Sequence, residues 1–376
     1  MRTTRVAVFP APDRPVELRE VPLPELAVGE ALLRIECSEV CGTDVHLLHG
    51  KLAGVPYPLI PGHVSAGTLA AVRGEVRDVD GVLLREGDVV TFLDVHRTCH
   101  RCWYCLVAKA STRCPERKVY GITYGTADGL CGGWAEHVHL LAGTRIIRLE
   151  RTSPREFLCC GCALPTALHG MQRAEVQLGD TVLVLGIGPV GLSCIALARA
   201  AGAGSVLAIG GPAGRLPAAS EMGADAVLDF ATLSPPDRAA WVRERTHGRG
   251  ADVVLEATGA PEAVVQAMRC ARDAGRVVVL GQYTDLGDVE WNPHADLNKK
   301  HLDVRGCWGS DYSHFHRAVL VAAHARLGQP WRSLPVREYA LHEVAQALTA
   351  VEKGEVVKAL VTPQAVTDPG RRASRC

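Results

Sequence analysis

Four cysteines within a stretch of 16 residues are the feature that most constrains how this chain folds: Cys99, Cys102, Cys105 and Cys114. Thiolates at this spacing can surround one Zn²⁺ within a single loop. The alternative, a disulfide framework, is typical of small secreted domains, whereas this chain has 376 residues and begins with no signal-peptide pattern. We therefore expect a structural zinc lobe over residues 95–118. A closed shell of four thiolates leaves no position for a substrate, so the chemistry must lie elsewhere.

The composition narrows the possible partners. Lys plus Arg and Asp plus Glu both number 41, so no net charge attracts nucleic acid or an anionic membrane. No apolar run approaches the ~20 residues that a transmembrane helix needs. The 14 cysteines, four of them in a zinc-type cluster, are typical of a reducing compartment. We expect a cytoplasmic protein that binds neither nucleic acid nor membrane.

Two patterns divide the chain. Short apolar runs with Gly and Pro fill residues 1 to about 160 and predict a β-rich domain. From about Gly179, apolar runs of four to six residues alternate with Ala-rich helical stretches, which predicts a doubly wound parallel sheet. Beyond about residue 305 we expect two more helices, a final strand at Val356–Val361 and a mobile tail at Gln364–Cys376. The predicted class is α/β with two domains.

A glycine-rich turn marks a dinucleotide site. The predicted strand Thr181–Leu185 runs directly into Gly186-Ile187-Gly188-Pro189-Val190-Gly191 and then into a helix. The first glycine permits the tight turn, the second lets the backbone approach a pyrophosphate, and the third allows close helix–strand packing. The N-terminus of the helix adds free N–H groups for the phosphates. The predicted cofactor contacts in this turn are Gly186, Gly188, Pro189, Val190 and Gly191.

The end of the next strand bears on the choice of cofactor. A carboxylate usually holds the adenosine ribose hydroxyls of NAD there, but this strand ends in Gly210. Without that carboxylate a 2′-phosphate meets no repulsion, and Arg215 is the nearest basic partner, although a solvated helix position is its other interpretation. We expect NADP(H) to be favoured over NAD(H), with Gly210 and Arg215 as cofactor contacts.

A second group of metal-ligand residues lies upstream, in Cys41-Gly42-Thr43-Asp44-Val45-His46 and Pro61-Gly62-His63. A thiolate and an imidazole are good zinc ligands, and a catalytic site needs three protein ligands with one position open. Together with the four-cysteine lobe and the glycine turn, these motifs make nearly the whole chain resemble the zinc-dependent medium-chain alcohol dehydrogenases, including their polyol dehydrogenase branch. The resemblance implies a GroES-like β-rich catalytic domain at 1–163 and 305–376 around a Rossmann domain at 164–304.

The resemblance also implies the ligands of a catalytic zinc. Cys41 and His63 match its first two ligands. The segment that starts at Cys162 lines up with the polyol dehydrogenase version of the third, where a glutamate stands, and so makes Cys162 the expected third ligand. Cys160 is the alternative, and Cys159 is expected to be a buried small hydrophobe.

Further roles follow from the same resemblance. Thr43 matches the hydroxyl that takes a proton from the substrate alcohol, and His46 matches the histidine that relays it to solvent. Asp44 matches the carboxylate that orients the metal-binding histidine. Gly281 matches a backbone contact to the nicotinamide carboxamide, and Lys358 a basic position near the cofactor phosphates.

The sequence departs from the family pattern at two places. The residue after His63 is Val64, where the family usually has a glutamate near the zinc, so we expect a less negative and drier metal environment. The last gap in the cysteine lobe has eight residues between Cys105 and Cys114 against the usual seven, which a surface loop can absorb.

The implied activity is a zinc-dependent transfer of hydride between a nicotinamide cofactor and an alcohol or carbonyl substrate: a secondary alcohol, a polyol or a specialised metabolite. Two zinc ions per chain and a homodimer or homotetramer are implied as well. Val64 leaves open a reductase of activated C=C or C=N bonds, but Thr43 and His46 argue against it because such a reductase needs no alcohol proton relay. A redox-inactive family member is the remaining alternative.

Overall fold

The computed structural model describes residues 2–363 and 374–375, so the predicted mobile tail lies outside the described residues except for that last pair. The strands are β1 (Thr3–Val8), β2 (Glu17–Pro22), β3 (Ala31–Val40), β4 (Ser65–Val72), β5 (Val89–Phe92), β6 (Val95–Arg97), β7 (Lys118–Val119), β8 (His137–Leu140), β9 (Ile146–Arg148), β10 (Thr181–Leu185), β11 (Ser205–Gly210), β12 (Ala226–Asp229), β13 (Ala251–Glu256), β14 (Ala271–Val279), β15 (Asp303–Gly306), β16 (Pro335–Tyr339), β17 (Lys358–Val361) and β18 (Ser374–Arg375).

The α-helices are α1 (Gly42–Leu48), α2 (Trp103–Leu106), α3 (Pro154–Cys160), α4 (Ala163–Ala174), α5 (Pro189–Ala200), α6 (Leu216–Glu221), α7 (Pro235–Glu244), α8 (Pro261–Cys270), α9 (Tyr312–Ala323), α10 (Gln329–Arg332) and α11 (Val344–Glu352). Short 3₁₀ helices occupy Ser111–Arg113, Thr126–Asp128, Ala213–Arg215, Phe230–Thr232 and Leu341–Glu343, and Pro293–Asn298 is a π-helical turn. No helix within 2–363 is long and apolar enough to cross a membrane.

The chain divides into two compact units, one of Met1–Cys162 with Asp311–Cys376 and one of Ala163–Ser310. The first unit is built on an eight-stranded sheet in the order β18-β16-β17-β3-β4-β5-β9, with β8 also paired to β3. Strand β3 is ten residues long and largely buried, and it pairs antiparallel with β4, β8 and β17. The predicted β-rich domain is thus confirmed, and its C-terminal segment is fixed to its first half through β17.

The second unit contains a six-stranded parallel sheet in the order β12-β11-β10-β13-β14-β15. In chain order this is 3-2-1-4-5-6, so the predicted doubly wound Rossmann sheet is confirmed. Right-handed crossovers place the helices before and after the reversal of strand order on opposite faces. The reversal lies between β10 and β13, and ligands of such sheets bind at the carboxyl ends of these strands. The glycine-rich turn stands directly after β10.

Candidate metal centres and cofactor cavity

The first unit brings three of the predicted ligands together. The ligand atoms of Cys41, His63 and Cys162 all lie within 4.8 Å of one another, and neither cysteine is in a disulfide bond. Cys41 Sγ is 3.7 Å from His63 Nε2. Zinc bonds of about 2.3 Å to sulfur and 2.05 Å to nitrogen at a tetrahedral angle separate the two donors by about 3.6 Å. The donor types and their spacing therefore fit a zinc ion, with Nε2 as the donor atom of His63.

The first turn of α1 contains the donor Cys41 and the carboxylate of Asp44, which faces the donor His63. Cys41 is the N-cap of α1, and its backbone N–H donates to Asp44 Oδ2 at 2.9 Å, which closes the first turn. The other oxygen of this fully buried carboxylate faces His63 Nδ1 at 3.8 Å, too long for a direct hydrogen bond. Neither of these two atoms has a hydrogen-bond partner among the described residues. Asp44 thus lies where a carboxylate would orient the imidazole.

The three donors are electrostatically linked. A hydrogen bond from the Cys162 thiol lowers the pKa of Cys41 to about 7, although burial opposes the shift. The same hydrogen bond and burial raise the pKa of Cys162. Burial alone would lower the pKa of His63, but the Cys41 thiolate and Asp44 outweigh it and raise that pKa. Protons are thus shared within a buried set of ligands, and a set of this kind releases protons when it binds a cation.

The predicted relay residues lie on the same helix. Thr43 and His46 are both half-buried and three positions apart on α1, so their side chains are neighbours on its surface. Burial, followed by the charges of Lys51 and His49, lowers the pKa of His46. Its imidazole is therefore neutral at pH 7 and able to accept a proton.

Position 64 contacts a buried acid on the neighbouring strand. Val64 is buried, and its carbonyl accepts the backbone N–H of Glu39 at 3.0 Å. The Glu39 carboxylate is itself buried, ion-pairs with Lys358 and accepts the backbone N–H of Cys162 at 2.6 Å. A buried acid of β3 thus lies beside the ligand Cys162, with its charge balanced by Lys358. The predicted contact of Lys358 with the cofactor phosphates stays a prediction.

The four-cysteine lobe is also assembled. The sulfur atoms of Cys99, Cys102, Cys105 and Cys114 all lie within 4.8 Å of one another, and all four are free thiols. The backbone N–H of Cys99 donates to Cys114 Sγ at 3.2 Å, and that of Cys102 donates to Cys99 Sγ at 3.3 Å. Strands β6 and β7 pair antiparallel at the base of the lobe. A tetrahedral zinc–thiolate shell places its sulfurs about 3.8 Å apart, so the lobe fits a closed shell.

A cavity of about 670 Å³ opens at the carboxyl ends of the second unit's strands. Four of the predicted cofactor residues line it: Gly186, Gly188, Gly210 and Arg215. The predicted contacts Pro189, Val190 and Gly191 form the first turn of α5, whose N-cap is Gly188. A Cβ built on Gly188 meets no atom within 4 Å, so this glycine leaves open space in front of the helix N-terminus. A cradle of this shape fits a pyrophosphate.

Two acidic residues at these sites escaped the sequence analysis. Glu256, at the end of β13, is fully buried and accepts the backbone N–H groups of Thr258, Gly259 and Gly281. It thereby holds the predicted nicotinamide contact Gly281 against the neighbouring turn. Glu39 is the second. Each strand holds a second carboxylate as well, Glu36 in β3 and Asp252 in β13, so the sequence alone does not single out the buried one or its partner.

Comparisons with known proteins agree with this arrangement. Residues 27–151 match the family described as alcohol dehydrogenase GroES-like domain, and residues 189–323 match zinc-binding dehydrogenase. The 5-exo-hydroxycamphor dehydrogenase of Pseudomonas putida is 33% identical over 96% of this chain and 99% of that protein. The crystal structure of an alcohol dehydrogenase from Thermotoga maritima has a TM-score of 0.90 and 33% identity, over 97% of this chain and 100% of that one. A putative zinc-binding dehydrogenase from Sinorhizobium meliloti, bound to NADP, has a TM-score of 0.83 and 27% identity, over 96% of this chain and 100% of that one.

The fold and these relatives define a class: a GroES-like domain joined to a Rossmann domain. The chain belongs to the zinc-dependent medium-chain alcohol dehydrogenase family. It is accordingly a zinc-dependent oxidoreductase that transfers hydride between an alcohol and a nicotinamide cofactor.

Proposed function

We propose that Cys41, His63 and Cys162 hold the catalytic zinc of an NADP(H)-preferring alcohol dehydrogenase that also works as a carbonyl reductase. The observation that carries the proposal is the convergence of two thiol sulfurs and one imidazole nitrogen, with Cys41 and His63 buried and Cys162 partly buried. Three protein donors leave one position of a tetrahedral ion for the substrate oxygen. The four-cysteine lobe leaves none, so we assign it a second, structural zinc.

The chain's own residues supply the proton path. Thr43 accepts the proton of the substrate hydroxyl while its own hydroxyl proton passes to His46. The neutral imidazole, kept so by burial, accepts that proton and returns it to water. A bound zinc would supply Lewis acidity that lowers the pKa of the alcohol, and a bound nicotinamide would supply the hydride acceptor. For carbonyl reduction the same two residues deliver a proton to the oxygen.

Asp44 has a supporting part in this site. Because the metal-binding nitrogen of His63 is Nε2, the opposite nitrogen carries the proton and faces the Asp44 carboxylate. A carboxylate there fixes the tautomer and makes the imidazole a stronger donor to the metal.

The preference for NADP(H) rests on the adenosine end of the cavity. Strand β11 ends in Gly210 with no carboxylate to repel a 2′-phosphate, and Arg215 lines the same cavity. The Arg238 guanidinium also lines this cavity and adds positive charge. A guanidinium fork suits a phosphate monoester because it can donate two parallel hydrogen bonds.

We infer the substrate to be an alcohol or its carbonyl counterpart, with the secondary alcohols and polyols of the relatives as the first compounds to try. We also infer a homodimer or homotetramer in a reducing compartment. None of the six predicted ligand cysteines is in a disulfide bond, as metal binding requires. Sedimentation velocity of the zinc-loaded protein measures the number of subunits, and a monomer would contradict the inferred assembly.

The catalytic zinc is tested by the substitution Cys41→Ser. We expect the wild-type protein to carry about two zinc ions per chain and the variant about one, with loss of alcohol oxidation. The measurements are metal analysis and nicotinamide absorbance with a panel of alcohols and ketones. Full activity in a variant that lacks this zinc would refute the proposal.

The cofactor preference is tested by Arg215→Ala. Removing the guanidinium should raise the KM for NADP⁺ by about 10-fold, the equivalent of about 1.4 kcal/mol, and leave the KM for NAD⁺ nearly unchanged. A wild-type enzyme that strongly prefers NAD⁺, or a variant in which both KM values rise equally, would contradict the assignment.

A further inference from the structure

The first unit contains a buried ion pair between residues 319 positions apart in the chain. Glu39 is 1% exposed and Lys358 is 2% exposed. Removing two charges from water costs several kcal/mol per ion, and well-packed apolar residues often stabilise a fold equally well. A pair of this kind therefore calls for an account of what it contacts.

Both charges contact the same short turn. One carboxylate oxygen of Glu39 ion-pairs with the Lys358 ammonium, and the other accepts the backbone N–H of Cys162 at 2.6 Å. The ammonium also donates to the carbonyl oxygen of Cys160 at 3.4 Å. The ion pair thus forms hydrogen bonds with the backbone on each side of Gly161, and one of them is to the third proposed zinc ligand, Cys162.

The shape of the turn requires this close approach. Gly161 has φ +51°, and a Cβ built on it would overlap the Glu39 carboxylate and lie 2.5 Å from the Lys358 ammonium nitrogen. The backbone of the turn therefore packs directly on the ion pair. A side chain at position 161 would force the pair and the turn apart.

Glu39 supplies a carboxylate near the ligand set, where the family's usual glutamate is absent from position 64. Residue 64, next to the ligand His63, is an apolar valine, and its carbonyl bonds to the backbone of Glu39 on the neighbouring strand. The carboxylate beside the ligand set therefore comes from β3, with a cation from β17 to balance it. Since the pair is neutral as a whole, it adds no net charge to a zinc ion balanced by two thiolates.

Resting on the proposed catalytic zinc, we propose that Glu39 and Lys358 are positioning residues for that metal. They hold the Cys160–Cys162 turn so that the Cys162 thiolate meets an ion bound by Cys41 and His63. They act through the backbone of the ligand turn, which both of them contact.

The test uses the full chain loaded with Co²⁺, whose visible absorption reports the geometry of its ligands. The spectrum of Cys41→Ser, subtracted from that of the wild type, isolates the contribution of the catalytic site. The main variant is Glu39→Gln/Lys358→Met, which removes both buried charges together. Gly161→Ala is the second variant, because it displaces the turn and leaves both charges in place.

The matched control is Asp78→Asn. Asp78 is also a buried carboxylate of the first unit, but it pairs with Arg148 at 3.0 Å and accepts the backbone N–H of Val82. We expect both test variants to release catalytic-site Co²⁺ about 10–100 times faster than the wild type and to shift its visible band. The lobe's cobalt signal should stay unchanged, and Asp78→Asn should match the wild type in both measurements.

Each other outcome has a definite meaning. A wild-type release rate and band in Glu39→Gln/Lys358→Met overturns the positioning role. Failure of that variant to fold, while Asp78→Asn folds, assigns the pair to the fold alone and overturns it too. A wild-type cobalt spectrum equal to that of Cys41→Ser instead refutes the proposed catalytic metal itself, so the two failures are distinguishable.

Discussion

Two glycines of the dinucleotide turn, two positions apart, should respond to alanine in opposite ways. Gly186 has φ +95°, a backbone conformation that L-residues rarely adopt, and a Cβ built there lies 2.6 Å from the carbonyl oxygen of Ala257. Gly188 has φ −72°, and its built Cβ meets nothing within 4 Å. The first glycine is therefore required by the protein itself, and the second by what the cavity holds.

The cost of Gly186→Ala follows from two contributions. A side chain in the left-handed region costs about 1–2 kcal/mol. An added carbon that must be relieved against a fixed backbone oxygen costs about 1–3 kcal/mol more. The free energy of unfolding should therefore fall by about 2–5 kcal/mol. For a unit of about 150 residues this lowers the thermal midpoint by roughly 4–20 °C.

The substitution Gly188→Ala is the matched control. Alanine is a poorer N-cap than glycine, which lowers the free energy of unfolding, but it also makes the unfolded chain less flexible, which raises it. The two effects nearly cancel, so we expect the thermal midpoint to stay close to that of the wild type. The methyl group would occupy the space for the pyrophosphate and weaken NADPH binding by about 10-fold. Thermal unfolding without cofactor and a fluorescence titration with NADPH give both quantities. A stable Gly186→Ala, or a Gly188→Ala that loses stability but keeps its affinity, would refute the reasoning.

Two further predictions concern the first unit. The carboxylates of Asp13 and Glu352 bind the protonated form of His49 and so raise its pKa. This interaction stabilises the fold fully below about pH 6.5, and the stabilisation is lost as the pH rises through the raised pKa. His49→Gln should therefore lower the thermal midpoint at pH 6, by the equivalent of about 0.2–1 kcal/mol, and hardly at pH 9; an equal effect at both values would contradict the assignment. Cys99→Ser should release the zinc of the lobe and speed hydrogen exchange over residues 95–118 while β10 stays protected; a uniform increase in exchange would show that the lobe does not unfold by itself.

Local patterns made much of the fold predictable. The strand Thr181–Leu185 has the predicted bounds, and the helix that follows it begins within the glycine-rich motif. A steric rule fixes such a turn over a few neighbouring residues, so the sequence contains the whole signal. Helix α7 gives a weak signal in the sequence, because only Ala239 and Val242 of its residues are buried and almost no apolar periodicity results.

The candidate site was predictable only in part. Ligand types indicated Cys41 and His63, because metal ligands belong to a small chemical set, and the family resemblance added Cys162. The Glu39–Lys358 pair could not be found in this way, since charged residues are expected at the surface unless a partner is known. That partner lies 319 positions further along the chain. The resemblance assigned Lys358 a cofactor contact, which stays a prediction, and gave no sign of its ion pair with Glu39.

The pairing of β3 with β17 also determines how late in synthesis the first unit can complete its sheet. A ribosome that adds about 5–20 residues per second makes Lys358 roughly 15–65 s after Glu39. The continuous unit Ala163–Ser310 can fold in that interval, while the first unit still lacks a strand beside β3. A nascent chain should consequently expose the unpaired Glu39 carboxylate and an unpaired edge of β3 until β17 has left the ribosome. Chains that stop before β17 should be the ones that aggregate or are degraded.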